Sequence, residues 1–507
     1  RLSIQGEEVK QKLLQGIYWV ANTVKPTLGP QAKTVILQGN PPVVINDGVT
    51  ITKYISSDDP YVQMGVQLVQ NLASKAQEGS GDGTTTACIL AQALCHRIMD
   101  SAGEITVHKF NRLMELIREE MCNILDNLSQ EVNDDEILDI ATIASNNDKE
   151  MGKLISNALA KVGRDGVVTV EESKSHLTEL VIREGMEIHE GYISHIMANS
   201  ENGKVEFSNP LVFLSNCSFK NFSDVLPMLE FAAQEKRPLL IMCKGMKGSA
   251  LNNLLMNVVN KTIECAVILA PNFGDAQVDE LGDVQSLIGG RIFNEDMKAD
   301  PTDFNGIDDF GTCQSVTITK EKTTFVGAEG DVSSRVLALK ETLENVTGHD
   351  AARLKRRISR LNGGVATIRI GAASSIEMRE KKERLDDALN ATKAALEEGI
   401  VVGGGLSLAR AANILKSSFI FNTDLSWFVD ALHEPIRTLI SNSNATVSLD
   451  NLSPSENIGF NALIGDVCDL TSFGVYDPVK VTKNSFLAAL SIANLFYSTD
   501  VAVLLEE

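Results

Sequence analysis

Gly79-Ser80-Gly81-Asp82-Gly83-Thr84-Thr85-Thr86 carries more chemical information than any other stretch of this chain. Glycine lets a backbone come close to an anion, and a helix opening behind such a loop presents unpaired N–H groups and the positive end of its dipole. Thr84, Thr85 and Thr86 add three hydroxyls that can donate to phosphate oxygens. Asp82 is placed to hold Mg2+, an ion that takes one or two carboxylates and completes its shell with phosphate oxygens and water. Read alone, the stretch is equally compatible with a Gly/Thr turn that only starts a helix. It is not a Walker A loop, because GxxxxGK[ST] occurs nowhere in the chain, and its glycines lack the GxGxxG spacing of a dinucleotide site. The common nucleotide-binding folds are therefore disfavoured.

Outward from this loop the periodicity is helical on both sides, over residues 62–76 and 87–99. Further upstream Val9, Leu13, Ile17, Val20 and Val24 recur at helical spacing, and Pro26-Thr27-Leu28-Gly29-Pro30 ends that helix in a second tight turn with a hydroxyl. Val35-Ile36-Leu37 and Val43-Val44-Ile45 read as a hairpin, followed by Asn46-Asp47-Gly48, a turn holding a carboxylate. The middle of the chain changes character. Short apolar runs at 167–170, 180–182, 211–214, 239–242 and 266–269 alternate with helical stretches at 222–234 and 249–259, the signature of an α/β layer domain. A charged helical pair spans 334–361 and breaks at Gly363-Gly364, and helix returns at 385–398 before Gly403-Gly404-Gly405. The order helical, α/β, helical implies a multidomain α and α/β protein whose middle domain is inserted into a discontinuous helical one.

Composition agrees. The 507 residues allow about three domains. Lys and Arg number 46 against 67 Asp and Glu, a net charge of −21, so the surface repels polyanions and neither nucleic acid nor an acidic membrane is an expected partner. The longest stretch without a charged side chain, residues 484–499, contains Ser485, Ser491, Asn494 and Ser498 and falls short of the ~20 apolar residues a bilayer needs. Residues 1–8 carry no signal-peptide pattern, and a cytoplasmic protein is expected unless a presequence has been removed. The 8 cysteines form no CxxC pair and read as reduced, mostly buried hydrophobes.

Other motifs carry less. Asp387 follows Asp386 near a helix start and Asp477 sits in Val475-Tyr476-Asp477-Pro478; a cap or turn role is the default for each. His189-Glu190 with His195 lacks the spacing of HExxH, and Gly405-Leu406-Ser407-Leu408-Ala409 lacks the last glycine of a nucleophile elbow.

In their order these segments resemble the group I chaperonins, the ring-forming, ATP-driven folding machines of bacteria and organelles. The matching phrases are Val24-Lys25-Pro26-Thr27-Leu28-Gly29-Pro30, Asn46-Asp47-Gly48-Val49, Gly81-Asp82-Gly83-Thr84-Thr85-Thr86 and Ala270-Pro271-Asn272-Phe273-Gly274-Asp275. Asp387-Ala388-Leu389-Asn390-Ala391-Thr392, the run from Glu397 to Gly405 and Tyr476-Asp477-Pro478 complete the series, so the resemblance covers nearly the whole chain. Group II chaperonins fit less well, having a long helical protrusion and a different phrase before the triple glycine.

The resemblance implies an equatorial ATPase domain from residues 1–126 and 398–507, an intermediate domain from 127–183 and 366–397, and an apical domain from 184–365. It implies ATP and Mg2+ as ligands, with K+ as a further cation. Adenine and ribose would lie near Gly404, Asn461 and Asp477, and the phosphates on Thr27, Leu28, Gly29, Pro30, Gly81, Gly83, Thr84, Thr85 and Thr86, with Asp82 as the Mg2+ ligand. Asp387 would swing in to orient or deprotonate the attacking water, assisted by Asp47. Gly185, Gly363, Gly364 and Gly399 lie where the family bends. Non-native polypeptide clients and a co-chaperonin lid would bind apical Tyr192, Ile196, Met197, Leu226, Leu229, Leu251, Leu255 and Met256, in a homo-oligomeric ring of seven subunits.

The chain also departs from the pattern. Asn46 replaces the usual lysine before the aspartate, Ala144 stands where a nucleotide-contacting serine is usual, and residues 442–458, in the ring-to-ring region, follow the family poorly. A single or a double ring therefore stays open, and the drift fits a divergent, virus-encoded member. Two rival readings stand beside this one: a small-oligomer ATPase or phosphotransferase, and a structural ring protein without turnover. The stretch between the hinge glycines holds no acid/base or nucleophile set of its own, against the first. Asp47, Asp82 and Asp387 are all retained, against the second.

Overall fold

Val9, Leu13, Ile17, Val20 and Val24 share one face of a 3.6-residue helix, and the helix Glu7–Val24 buries all five. The computed structural model in which this is seen describes every residue except 1–2, 39–41, 46, 102–104, 146, 165, 174–175, 201–202, 295–301, 347–348, 419–420, 422 and 505–507. The turn 38–42 and Asn46 thus fall wholly or partly outside the described residues. The chain divides into two compact units: Arg1–Asn157 with Glu172–Leu177 and Ile370–Glu507, and Ala158–Glu171 with Thr178–Arg369.

The first unit is mainly helical. Helices Glu7–Val24, Pro60–Ser80, Thr84–Ser101, Val107–Leu128 and Val479–Ser498 share one core, in which Ile17, Val66, Leu94, Phe110, Phe486 and Phe496 are buried. The uncharged stretch at 484–499 is thus core helix, and among the described residues no helix is long and apolar enough to cross a membrane. The two ends of the chain are tied together, Ser3–Gln5 pairing antiparallel with Val501–Val503. Close helix approach has a local cause. A Cβ on Gly16 would lie 2.3 Å from the Val62 carbonyl oxygen, and one on Gly65 would lie 2.2 Å from that of Leu13. A smaller apolar cluster of Leu406, Ile436, Leu439, Phe460 and Leu470 lies under the triple-glycine turn.

The second unit is α/β. Cys265–Leu269, Leu239–Cys243, Leu211–Ser215 and Ile292–Phe293 form, in that order, a parallel sheet, with Gly311–Thr312 antiparallel to Leu211–Ser215. Leu211–Ser215 and Leu239–Cys243 are buried at every position, as expected of strands covered on both faces. Helices Phe222–Glu235, Gly248–Val259 and Asp275–Ile288 connect or follow these strands. A four-stranded antiparallel sheet, Gly185–Ile188, Thr323–Val326, Ser315–Ile318 and Val205–Ser208, shares the same core. The charged helical pair is Ser333–Leu343 and His349–Asn362. Its arginines anchor it: Arg335 and Arg357 reach the fully buried Asp283 at 2.9 and 2.7 Å.

Three sequence expectations need correction. The helix Pro60–Ser80 absorbs Gly79 and Ser80, so the loop is only Gly81-Asp82-Gly83. The helix expected from Leu385 begins ten residues earlier, as Ser375–Glu398 capped by Ser374, so Asp387 lies well inside it and is not a cap. Two of the proposed client-binding side chains, Met197 and Leu229, are 2 % and 5 % exposed: they are core, and the Met197 sulfur accepts from the Val267 N–H at 3.3 Å.

Candidate functional site

Pro26 sets the first helical positions of the short turn Lys25–Thr27 that ends the N-terminal helix, and Gly29 follows at φ +85°. Asn442 fixes this turn by donating from Nδ2 to the carbonyls of Lys25 and Leu28, at 2.9 and 3.0 Å. Thr27 Oγ1 lies 3.4 Å from Thr85 Oγ1, so the two turns singled out in the sequence meet. Gly81 and Gly83 take φ of +70° and +85°, a region that favours glycine, and Ser485 Oγ holds the Gly83 carbonyl at 2.9 Å. The helix Thr84–Ser101 opens immediately afterwards, so its N-terminal end adjoins the loop.

Asp47 caps the helix Gly48–Lys53, accepting from Val49 N at 3.2 Å and from Thr50 N and Oγ1 at 2.9 and 2.6 Å. Its carboxylate is therefore fixed in direction. A Cβ on Gly48 would stand 2.6 Å from Thr85 Oγ1, which is why the segment after Asp47 can lie against the threonines. Asp82 Oδ1 accepts from Gly83 N at 2.6 Å. Burial, opposed by that N–H and reinforced by nearby Asp47, pushes the Asp82 carboxyl up to about 6. Asp477, in the strand Tyr476–Pro478 that pairs with Ile400–Val402, is raised to about 6 by burial and then by Asp82.

These residues enclose one cavity of about 350 Å3 within the first unit, a size common for small-molecule sites. Thr27 to Pro30, Asp47, Asp82 to Thr86, Asp387, Gly404, Asn461 and Asp477 all line it. Gly81, beside the wall, packs on Asn390 of the Asp387 helix. Asn461 is buried, with its Oδ1 taken by Leu463 N at 3.0 Å. Gly404 and Gly405 both adopt positive φ.

The wall contains residues that sequence reasoning passed over. Arg384 lines it one helical turn before Asp387, a spacing that was there to be read. Ser407 lines it too, 4 % exposed and with no hydrogen-bond partner for its hydroxyl. Arg384 Nε is likewise buried without a partner. Ala144 lies at the wall, while the neighbouring Ser145 spends its hydroxyl on backbone carbonyls, nearest Ala141 O at 2.7 Å, and does not replace the missing serine.

The donor set suits a magnesium nucleotide. Two glycine-containing turns, the hydroxyls of Thr27, Thr84, Thr85 and Thr86, and the buried Ser407 Oγ and Arg384 Nε, these last two without a partner, gather in one wall the donors that suit a polyphosphate ligand. Among the described residues no group of three or more His, Cys, Asp or Glu side chains forms a metal cage. A divalent ion here would rely on Asp82 and on ligand oxygens, the habit of Mg2+ rather than of Zn2+ or Ca2+. His189, Glu190 and His195 form no such cage.

In the second unit Ile196, Leu226 and Met256 are exposed, the last at 63 %, while Tyr192, Leu251 and Leu255 are half-buried. Helices Phe222–Glu235 and Gly248–Val259 pack together, and the latter touches the turn His195–Met197, which brings the three segments side by side.

Known proteins are similar over the same extent. The whole chain aligns with the whole of the chaperonin gp146 from the bacteriophage EL 2 (Pseudomonas aeruginosa), solved in the presence of ATP-BeFx, at 20 % identity and a TM-score of 0.71. A second crystal form of that protein aligns at 19 % identity and a TM-score of 0.65, again over 100 % of both chains. Residues 20–505 match the sequence profile of the TCP-1/cpn60 chaperonin family. With its multidomain α and α/β architecture and a match over nearly its full length, the chain belongs to the TCP-1/cpn60 chaperonin family.

Proposed function

We propose that this chaperonin is an ATP-hydrolysing ring subunit that captures non-native polypeptides on apolar surfaces of residues 184–365 and releases them to fold in the ring cavity. The observation that carries the reading is the single cavity shared by the Gly81-Asp82-Gly83 turn, the Thr27–Pro30 turn, Asp387, Asn461 and Asp477. Adenine and ribose would lie at Gly404, Asn461 and Asp477, and the phosphates on Thr27 and Thr84–Thr86. Mg2+ held through Asp82 would neutralise the charge developing on the phosphates. Asp387 takes a proton from the attacking water as the water oxygen bonds to the γ-phosphorus and the bond to the β-bridging oxygen breaks, leaving ADP and phosphate. Asp47, oriented by its cap bonds, holds that water from the other side. The division into equatorial, intermediate and apical domains at 126/127, 183/184, 365/366 and 397/398 belongs to the same reading. So do a seven-subunit ring, a lid partner, K+ as an accessory ion and a viral source, the last supported by the likeness to a phage chaperonin.

For clients, the reading rests on exposed Ile196, Leu226 and Met256, with half-buried Tyr192, Leu251 and Leu255 beside them. Flexible Leu and Met side chains repack against many partners. The test is direct: purified protein is imaged by negative stain and assayed for Mg2+-dependent ATP hydrolysis and for suppression of aggregation of an unfolded client. Rings that hydrolyse ATP and hold the client are expected. Compact oligomers without a central opening would overturn the reading in favour of a small-oligomer ATPase, and rings without turnover would make the protein a scaffold.

A further inference from the structure

Five acidic side chains, Asp47, Asp82, Glu383, Asp387 and Asp477, line the nucleotide cavity, against one cationic side chain among its lining residues, Arg384. A triphosphate entering that wall meets repulsion that a single Mg2+ offsets only in part. We propose that Arg384 binds the terminal phosphate, leaving its resting partner Glu380 to do so, and that it thereby lets the site distinguish a triphosphate from a diphosphate. The proposal rests on the nucleotide reading of the cavity.

Placement supports it. Arg384 and Asp387 are three residues apart on the helix Ser375–Glu398, hence on one face, and Asn390, three further on, is the side chain that a Cβ on Gly81 would strike at 2.6 Å. Asn390 is in turn a neighbour of Asp387 on that helix, so the side that Arg384 and Asp387 share adjoins the one that meets Gly81, in the same cavity as Asp82 and the threonines. The guanidinium is only partly engaged. Its Nε is buried without a partner, while one terminal nitrogen pairs with Glu380 one turn earlier. Glu380 is 42 % exposed, and an ion pair of that kind is weak and readily exchanged. A phosphate offers the planar fork of an arginine two parallel hydrogen bonds, a stronger match than one carboxylate oxygen. Arg384 and Asp387 would then address the same phosphorus from adjacent turns of one helix, so the residue that meets the water and the residue that recognises the third phosphate move together.

The experiment measures equilibrium binding of MgADP and MgATPγS to the full chain. Arg384→Gln is expected to weaken MgATPγS at least tenfold and MgADP less than twofold, with Arg384→Lys between. Glu380→Gln, which removes the competing carboxylate, is expected to tighten MgATPγS several-fold relative to MgADP. A folded Arg384→Gln protein with the wild-type ratio of the two affinities would overturn the proposal while leaving the nucleotide reading intact. If Arg384→Gln fails to fold, Glu380→Gln decides: an unchanged ratio overturns the proposal. Wild-type protein that binds neither nucleotide overturns the nucleotide reading itself.

Discussion

Under the proposed function Asp387 is the general base in a cavity wall it shares with Asp47, which caps a helix, and Asp82, which accepts from Gly83 N. Asp387→Ala should therefore leave nucleotide affinity within about threefold while turnover falls by about 10²–10⁴-fold, as when a general base alone is lost; single-turnover hydrolysis checks it. Asp82 yields a second expectation. Its carboxyl is held up at about 6 chiefly by burial, so the ionised form is harder to keep in the folded chain than in the unfolded one. At pH 7 this lowers stability, and the penalty fades as pH falls through about 6 and the carboxyl gains its proton. Ligand-free Asp82→Asn should thus melt above the wild type at pH 7, by a margin that about halves at pH 5 and closes only below about pH 4, where the unfolded carboxyl is protonated too. A difference that grows on acidification would contradict the burial account.

Helices approach closely where glycine removes the obstacle, and the crossing of Glu7–Val24 over Pro60–Ser80 is such a place. Alanine at position 16 would raise helix propensity by about 1 kcal/mol in an open helix. Here its Cβ would meet the Val62 carbonyl oxygen at 2.3 Å and the Val66 nitrogen at 2.7 Å, backbone atoms that cannot rotate away. Gly16→Ala should therefore destabilise the first unit by about 1–3 kcal/mol, read as a lowered denaturant midpoint. That glycine stood in the sequence without a signal, because a helical Gly shows its purpose only once its neighbour across the crossing is known. Elements with a strong apolar period were legible: the helices at 9–24 and 87–99, the hairpin, and the buried strands of the α/β middle. The first ten residues of the helix Ser375–Glu398 were not, since seven of the ten are charged and Ile376 and Met378 alone make no apolar stripe, so the sequence pattern puts the helix start close to Asp387. The same blank stretch concealed Arg384. Met197 and Leu229 were misjudged for the opposite reason: an apolar side chain at helical or turn spacing looks the same whether it meets solvent or the core.

For the whole molecule, the two units differ in how the chain builds them. The first is assembled from both ends of the sequence, with Ser3–Gln5 pairing to Val501–Val503, so no contiguous piece contains its core. The second draws its main apolar cluster from residues between Met186 and Leu361, which include both the parallel sheet and the four-stranded antiparallel one. Residues 178–369 expressed alone should therefore fold cooperatively, because a domain with its own closed apolar core and short connections meets the requirement for independent stability. Ile196, Leu226 and Met256 would remain exposed in that fragment. If they take up clients, the fragment should slow aggregation of an unfolded protein without ATP, and the triple change Ile196→Ser, Leu226→Ser and Met256→Ser should remove that effect while leaving its melting transition in place. Changing the buried Met197 or Leu229 to Ser should instead lower the melting temperature, since a polar group would enter the core unpaired. A fragment that melts without cooperativity would show that its core needs residues 158–171 or the first unit. A triple variant that still protects clients would move the capture surface away from these three side chains.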